Sequence, residues 1–305
     1  MALTLYNIRK WYKMLTGKSV MHVNQNLGKC FERAELKGYY NNLTEKVTML
    51  PQLLNTDELP QYLTTKGAWI VFPVDIFQYG LGAYDLFLIT REDIYLKKFR
   101  QCVEWTLLHQ EPSGAWDNFS FRYPNNPYGA MAQGEAASLL LRAYCQFGRS
   151  DCLDAAHRAI DYMITPLEDG GTTLFKDDQV ILMEYTHLPA VMNGWIFAWW
   201  GLYDFVLASK DEGIYQRLLE RSVRSLVEKL PSFTNGFWSM YDLDGHIASP
   251  FYHHLHIAQM QAMYQLTGND VFNSYALQWK RYENNAWFRG CAFCVKAWQK
   301  LKERE

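Results

Sequence analysis

The residues best suited to chemistry are tyrosines in polar loops beside expected helix starts. Glu184-Tyr185 comes just ahead of Pro189, a favourable first-turn residue for a helix carrying Asn193-Gly-Trp. Tyr241 follows the glycine turn Asn235-Gly-Phe-Trp. Tyr252 opens a helix on which His256 and Gln259 share its face, by i, i+4, i+7 spacing. A phenol, with an ordinary pKa of about 10, moves protons near neutrality when neighbouring cations or donors lower that value. Each tyrosine alone reads as a packed ring with a tethered hydroxyl, and only their shared loop placement points to a site.

Other chemistries find less support. Tyr252-His-His-Leu-His256 puts His253 and His256 three apart on a helix. With no HExxH and no carboxylate in register, they read as hydrogen-bonded lining residues ahead of metal ligands. No GxSxG, P-loop or dinucleotide glycine pattern occurs, so nucleotide and hydride chemistry drop out, and no cofactor or metal is expected. Six cysteines give no disulfide framework for 305 residues, so a reducing compartment is expected. The basic, amphipathic start lacks the apolar core and cleavage site of a secretory leader, and no run reaches about 18 uncharged apolar residues. A cytoplasmic protein with no membrane span is the expectation. A formal charge of -2 offers no global basic field for nucleic acid, so an anionic ligand would need a local basic site. Aromatic residues, at 16%, exceed the needs of a core and suit a cleft that stacks on sugar rings.

The elements that must position these residues are set by an internal repeat. Tyr84, Tyr144, Tyr203 and Tyr264 each lie near the end of an apolar helix, at intervals of 60, 59 and 61 residues. A short polar turn follows each, then a helix with polar and apolar faces, expected over 94–109, 151–165, 212–229 and 270–283. Three units then reach a glycine turn at Gly114, Gly170 or Gly236. A helical hairpin cannot bury its apolar stripe alone, so neighbours must stack. Apolar inner helices inside amphipathic outer ones predict an all-α fold, an (α/α) barrel or toroid whose loops gather at one mouth. Residues 1–75 do not fit the repeat. They are read as an N-terminal helix with extended segments at Val20–Asn24 and Gly67–Val74, a candidate hairpin, packed on a catalytic barrel of residues 76–305.

Five stretches together resemble the C-terminal domain of glucuronyl C5-epimerases, which convert glucuronate to iduronate in heparan-type chains. They are Gln78-Tyr-Gly-Leu, Met131-Ala-Gln-Gly-Glu-Ala with Arg142-Ala-Tyr, Glu184-Tyr185 with Asn193-Gly and Gly201-Leu-Tyr-Asp, Tyr241-Asp-Leu, and Tyr252-His-x-x-His-Ile-x-Gln259. The resemblance spans about 78 to 259 and implies an α/α barrel with Glu184, Tyr185, Tyr241 and Tyr252 at active-site positions. It also implies a uronate-containing polysaccharide as partner and a homodimer. The chain departs from the animal enzymes in lacking their β-sandwich and in carrying Asp244 where they place an arginine.

Epimerisation at C5 needs two acid/base groups across the sugar ring and a way to neutralise the enolate. Under the resemblance, Tyr185 and Tyr252 form the facing pair and Tyr241 assists, with the base left open between them. Arg122 is the candidate for the uronate carboxylate. Tyr79, Tyr128, Gln133, Asn193, His253 and His256 are expected to bind substrate. Glu184 is expected to accept sugar hydroxyls or, if protonated, to donate to the carboxylate. The same carbanion could expel the 4-O-linked sugar, as in a polysaccharide lyase, and a silent glycan-binding module is the second alternative.

Overall fold

The structure, a computed structural model, describes residues 23–64, 67–210 and 213–302. The first helix expected within residues 1–20, residues 20–22 of the first extended segment, and residues 211–212 of the third turn lie outside the described residues.

A short helix α1 (Thr44–Thr48) and a small antiparallel hairpin of β1 (Tyr62–Leu63) and β2 (Trp69–Ile70) lead into four helical hairpins. These pair α2 (Pro73–Thr90) with α3 (Asp93–Leu108) and α4 (Ala130–Phe147) with α5 (Ser150–Ile164). A second antiparallel hairpin, β3 (Thr173–Lys176) and β4 (Gln179–Leu182), precedes α6 (Met192–Ser209) and α7 (Ile214–Lys229). Helices α8 (Pro250–Thr267) and α9 (Asp270–Asn284) complete the set, and α10 (Ala286–Lys302) follows. The four outer helices fall within two residues of their expected bounds.

Inner helices α2, α4, α6 and α8 pack side by side in chain order, each backed by its own outer helix, giving the expected (α/α) barrel wall. Helix α6 shows why. Met192, Trp195, Ile196, Phe197, Trp199, Trp200 and Leu202 point in every direction around it and all are buried, as a helix enclosed on all sides requires. The α4–α6 crossing is the closest in the wall. A Cβ at Gly134 would stand 2.6 Å from Ala198 Cα, and one at Gly201 would stand 2.3 Å from Gly134 O. Each inner helix ends in a left-handed residue that breaks the hydrogen-bond ladder: Arg91, Gly148, Lys210 and Gly268.

The N-terminal segment closes the end of the wall where the inner helices finish. Arg142, late in α4, is buried with Asp204, late in α6, at 2.6 Å. Its remaining donors reach Ser138 O, Lys37 O and Gly38 O at 3.0, 2.9 and 3.1 Å. Tyr40 donates to Asp204, and the Tyr39 amide donates to Asp85 of α2 at 2.9 Å. The repeated Tyr-Asp pairs, Tyr84-Asp85 and Tyr203-Asp204, are thus anchors for residues 37–40. Tyr39, Tyr40, Leu43 and Val47 belong to the same core as the inner helices.

Two local expectations change. Strand β2 covers only Trp69–Ile70 of the Gly67–Val74 segment, because Pro73 occupies the first helical position of α2, where its missing N–H costs nothing. Pro189 is not in the first turn of α6. The backbone of 190–192 is spent on another loop instead: Val191 bridges Asp242, Met192 N donates to Tyr241 O, and Leu243 N donates to Ala190 O. No helix among the described residues is long and apolar enough to cross a membrane.

Candidate active site

The opposite end of the wall, where the inner helices begin, gathers the loops of residues 109–129, 183–191 and 234–249. Backbone hydrogen bonds knit them together. Ala130 N donates to Met183 O at 2.8 Å and Tyr241 N to His246 O at 2.7 Å, which with the Val191–Asp242 bridge brings Glu184, Tyr185 and Tyr241 to the first turn of α8. Ser249 caps α8 by accepting from Tyr252 N, so Tyr252 stands at the rim.

Glu184, Tyr185, Tyr241 and Tyr252 form one cluster. The rings of Tyr241 and Tyr252 meet edge to face at 4.9 Å, and Phe119 lies 4.6 Å from Tyr185. The polar groups of Glu184 and Tyr185, of Tyr185 and Tyr241, and of Tyr241 and Tyr252 lie close enough to perturb one another's protonation. All three tyrosines are half-buried residues with desolvated hydroxyls, so the cluster can be reached from solvent while its polar atoms sit in a low-dielectric setting. Glu184 is buried, and its Oε2 has no hydrogen-bond partner. It packs over the first turn of α6, where a Cβ on Gly194 would fall 2.2 Å from that oxygen.

The electrostatics overturn the expectation of acidified tyrosines. Burial raises the phenol pKa of all three, and the charge of Glu184 raises each further. Only the Arg122 charge opposes this at Tyr185. In the unliganded protein these hydroxyls are neutral donors. Burial also lifts Glu184 to about 7, against a smaller lowering from Tyr185, so the carboxyl is the group poised near neutrality.

The other expected residues divide. Arg122 reaches the cluster: it is exposed, its guanidinium lies 5.0 Å from the Tyr123 ring centre, and no carboxylate pairs with it among the described residues. Asn193 is buried beside Glu184, with Oδ1 unpartnered and its carbonyl accepting from Gln259 Nε2 at 3.1 Å. His256 is buried behind Tyr252, ring centres 6.5 Å apart, with Nε2 unpartnered.

Four of the expected substrate ligands are placed elsewhere. His253 stacks on Trp238 at 3.7 Å, accepts from Ser239 N at Nδ1 and reaches Trp279 O at 3.1 Å, so both nitrogens are committed inside the core. Gln133 is fully buried and holds both backbone groups of Trp116. Tyr128 turns outward, donating to Glu111 at 2.7 Å and lying 5.3 Å from Tyr162. Tyr79 is buried beside Cys102 on the α3 side of α2, while its neighbour Gln78 faces the barrel interior; one residue along a helix rotates a side chain by about 100°. Ser239 Oγ bridges Nδ1 of His253 and Nδ1 of His256, which orients the pair.

Sequence reasoning passed over Glu135, fully buried on α4 and bonded to Gln78 at 2.8 Å. A lone acid inside the run Ala132-Gln-Gly-Glu-Ala-Ala-Ser138 was the available signal, since such a helix is enclosed on all sides.

Comparison with known proteins agrees with this geometry. The family described as D-glucuronyl C5-epimerase C-terminus matches residues 110–281, which takes in the cluster but leaves Gln78-Tyr-Gly-Leu outside. The D-glucuronyl C5-epimerase of Caenorhabditis elegans is 25% identical over 220 residues, covering 63% of this chain and 36% of that one. An uncharacterised protein of Methanocaldococcus jannaschii is 31% identical over 159 residues, covering 50% of this chain and 51% of that one. The chain therefore spans about half the length of one curated relative and about a third of the other. The cellobiose 2-epimerase of Spirochaeta thermophila superposes with a TM-score of 0.52 at 9% identity, covering 78% of this chain and 66% of that one, a likeness of fold alone. With a family match across more than half of its length and the matched acid and tyrosines gathered at one mouth of an α/α barrel, the chain belongs to the D-glucuronyl C5-epimerase C-terminal family.

Proposed function

We propose that the protein inverts C5 of D-glucuronate residues within a polysaccharide, by removing the C5 proton and returning one to the opposite face. The observation that carries the reading is the cluster Glu184–Tyr185–Tyr241–Tyr252, in which Tyr241 lies between two half-buried phenols and a carboxyl poised near neutrality stands behind Tyr185.

A phenol with a raised pKa is a poor base alone, but Tyr185 has a proton acceptor behind it. As Tyr185 oxygen takes the C5 proton, its own proton passes to the Glu184 carboxylate, and the C–H electron pair moves into the uronate carboxyl. Arg122, whose charge acts on Tyr185, is the cation proposed to take up that negative charge. Tyr252 then delivers its proton to C5 from the other face. The deficit at Tyr252 and the surplus at Glu184 cancel by proton transfer through Tyr185 and Tyr241, which lie between them. Matching Glu184 to the working pH is what makes the relay economical.

Incubation with glucuronate-containing polysaccharides in deuterated water tests this, with deuterium at C5 followed by NMR and unsaturated ends by ultraviolet absorbance. Deuterium with new iduronate and no unsaturation is expected, and Tyr252→Phe should lower turnover at least about 100-fold while leaving binding in place. Unsaturated ends would make the chain a lyase on this scaffold. Binding that Tyr252→Phe leaves untouched, with no exchange in either protein, would reject catalysis.

A further inference from the structure

The loop that carries Tyr241, residues 234–249, folds back on itself as a short hairpin. Tyr241 N donates to His246 O at 2.7 Å and Ala248 N donates to Ser239 O at 3.0 Å. This pattern makes Met240 and Ile247 a bridged pair whose own N–H and C=O groups point away from each other. Met240 N finds Phe233 O at 2.8 Å on its side. Asp242 stiffens the turn by accepting from Asp244 N and His246 N, both at 3.1 Å. Ile247, on the other edge, is fully buried, so its outward amide and carbonyl need partners from the protein.

Helix α10 supplies both. Gln299 Oε1 accepts from Ile247 N at 2.9 Å, and Lys296 Nζ donates to Ile247 O at 2.7 Å. Gln299 Nε2 also donates to Gly245 O at 2.8 Å, so two side chains satisfy this edge as a neighbouring strand would. Lys296 and Gln299 stand at i, i+3 and share one face of the helix with Ala292 and Val295. That face packs on Trp238, Ile247 and Ala248 in a small core of their own, bordered by Tyr241 and Tyr252. Lys296 Nζ also lies 5.9 Å from the centre of the Tyr241 ring. The family match ends at residue 281 and α10 begins at Ala286, so the family assignment gives this helix no role.

We infer that α10 is a clamp on the loop of residues 234–249, with Lys296 and Gln299 as positioning residues that hold Tyr241 in place against Tyr252. The inference rests on the role of Tyr241 proposed above and adds what fixes its position. The inner side of the hairpin is tied to the approach to α6, where Met192 N donates to Tyr241 O at 3.2 Å and Leu243 N to Ala190 O at 3.1 Å. The outer side is tied to α10. Releasing Ile247 leaves a buried amide and carbonyl unpaired, which drives the outer strand toward water. Tyr241 follows, because its own amide is bonded to His246 O, and the contact of its ring with Tyr252 at 4.9 Å opens.

Amide hydrogen exchange of the ligand-free protein, run beside C5 exchange kinetics, tests the clamp. In Lys296→Met and in Gln299→Leu, which keep the bulk of each side chain, the amides of Tyr241 and Ala248 should exchange at least about tenfold faster than in wild type, while those of α4 and α6 keep their protection. In the same proteins kcat should fall at least about tenfold with KM within about twofold, because the loss is one of alignment. Lys296→Arg keeps a donor for Ile247 O and should restore both readouts. Wild-type protection at Tyr241 and Ala248 in both variants, a loss spread equally over α4 and α6, or lost protection with unchanged kcat overturns the clamp. Because protection is read without substrate, a wild type with no C5 exchange would reject the proposed reaction, and the amides alone would then decide the clamp.

Discussion

Gly194→Ala isolates the placement of Glu184. The new methyl would stand 2.2 Å from Glu184 Oε2, 2.6 Å from its Cβ and 2.8 Å from its Cδ, whereas ordinary contact begins at 3.4 Å. Glu184 must therefore withdraw by about 1.2 Å, the difference between those distances. Gly194 is the third residue of α6, so alanine itself favours the helix by about 0.5–1 kcal/mol, against an overpacking cost of about 1–3 kcal/mol. The net loss of stability is at most about 2.5 kcal/mol, and the variant should fold. A misplacement of about 1 Å in a proton relay costs on the order of 100-fold in turnover. C5 exchange kinetics and thermal unfolding, run together, read the two effects. Gly290→Ala on α10, where nothing lies within 4 Å of the added methyl, is the control and should gain stability with unchanged exchange. A folded Gly194→Ala protein with wild-type exchange would refute the idea that Glu184 must occupy its observed place.

Stability should fall as pH rises from about 5 to 8, because burial raises Asp85 to about 7, Glu184 to about 7 and Glu135 to about 8, so the folded state holds protons that the unfolded chain releases near pH 4. His253 and His256, whose pKa values burial lowers, act in the opposite sense below about pH 6.5, so in denaturant titrations the fall should be shallow up to about pH 6.5 and steeper above it. Arg91→Gly should raise stability by about 0.5–1 kcal/mol, since Arg91 holds φ 61° at the end of α2, where only glycine is free of strain. Arg142→Met should cost about 3–5 kcal/mol, as it strands buried Asp204 and frees Lys37 O and Gly38 O; unfolding at wild-type denaturant would contradict the anchor role.

The hairpin architecture was legible because it depends on local and periodic physics. Apolar stripes at helical spacing, polar turns and glycines at positive φ recur about every 60 residues, and each copy specifies the same helix-turn-helix unit whatever surrounds it. The motif residues Glu184, Tyr185, Tyr241 and Tyr252 could be named for the same reason: their resemblance is written in short contiguous stretches. Tertiary structure alone decided which way neighbouring side chains face and what charge they carry. Tyr79 and Gln78 are adjacent in sequence, yet only Gln78 looks into the barrel. Pro189 carries a helix-start signal that loop pairing with residues 241–243 overrides. The tyrosines were expected to be acidified by cations, but desolvation dominates, and desolvation is set by every element that shuts out water. Glu135 and Glu184 are 49 positions apart in sequence, yet in the fold the charge of Glu184 bears on the Glu135 carboxyl. A proton's free energy depends on distances through space, and those exist only once the chain has folded.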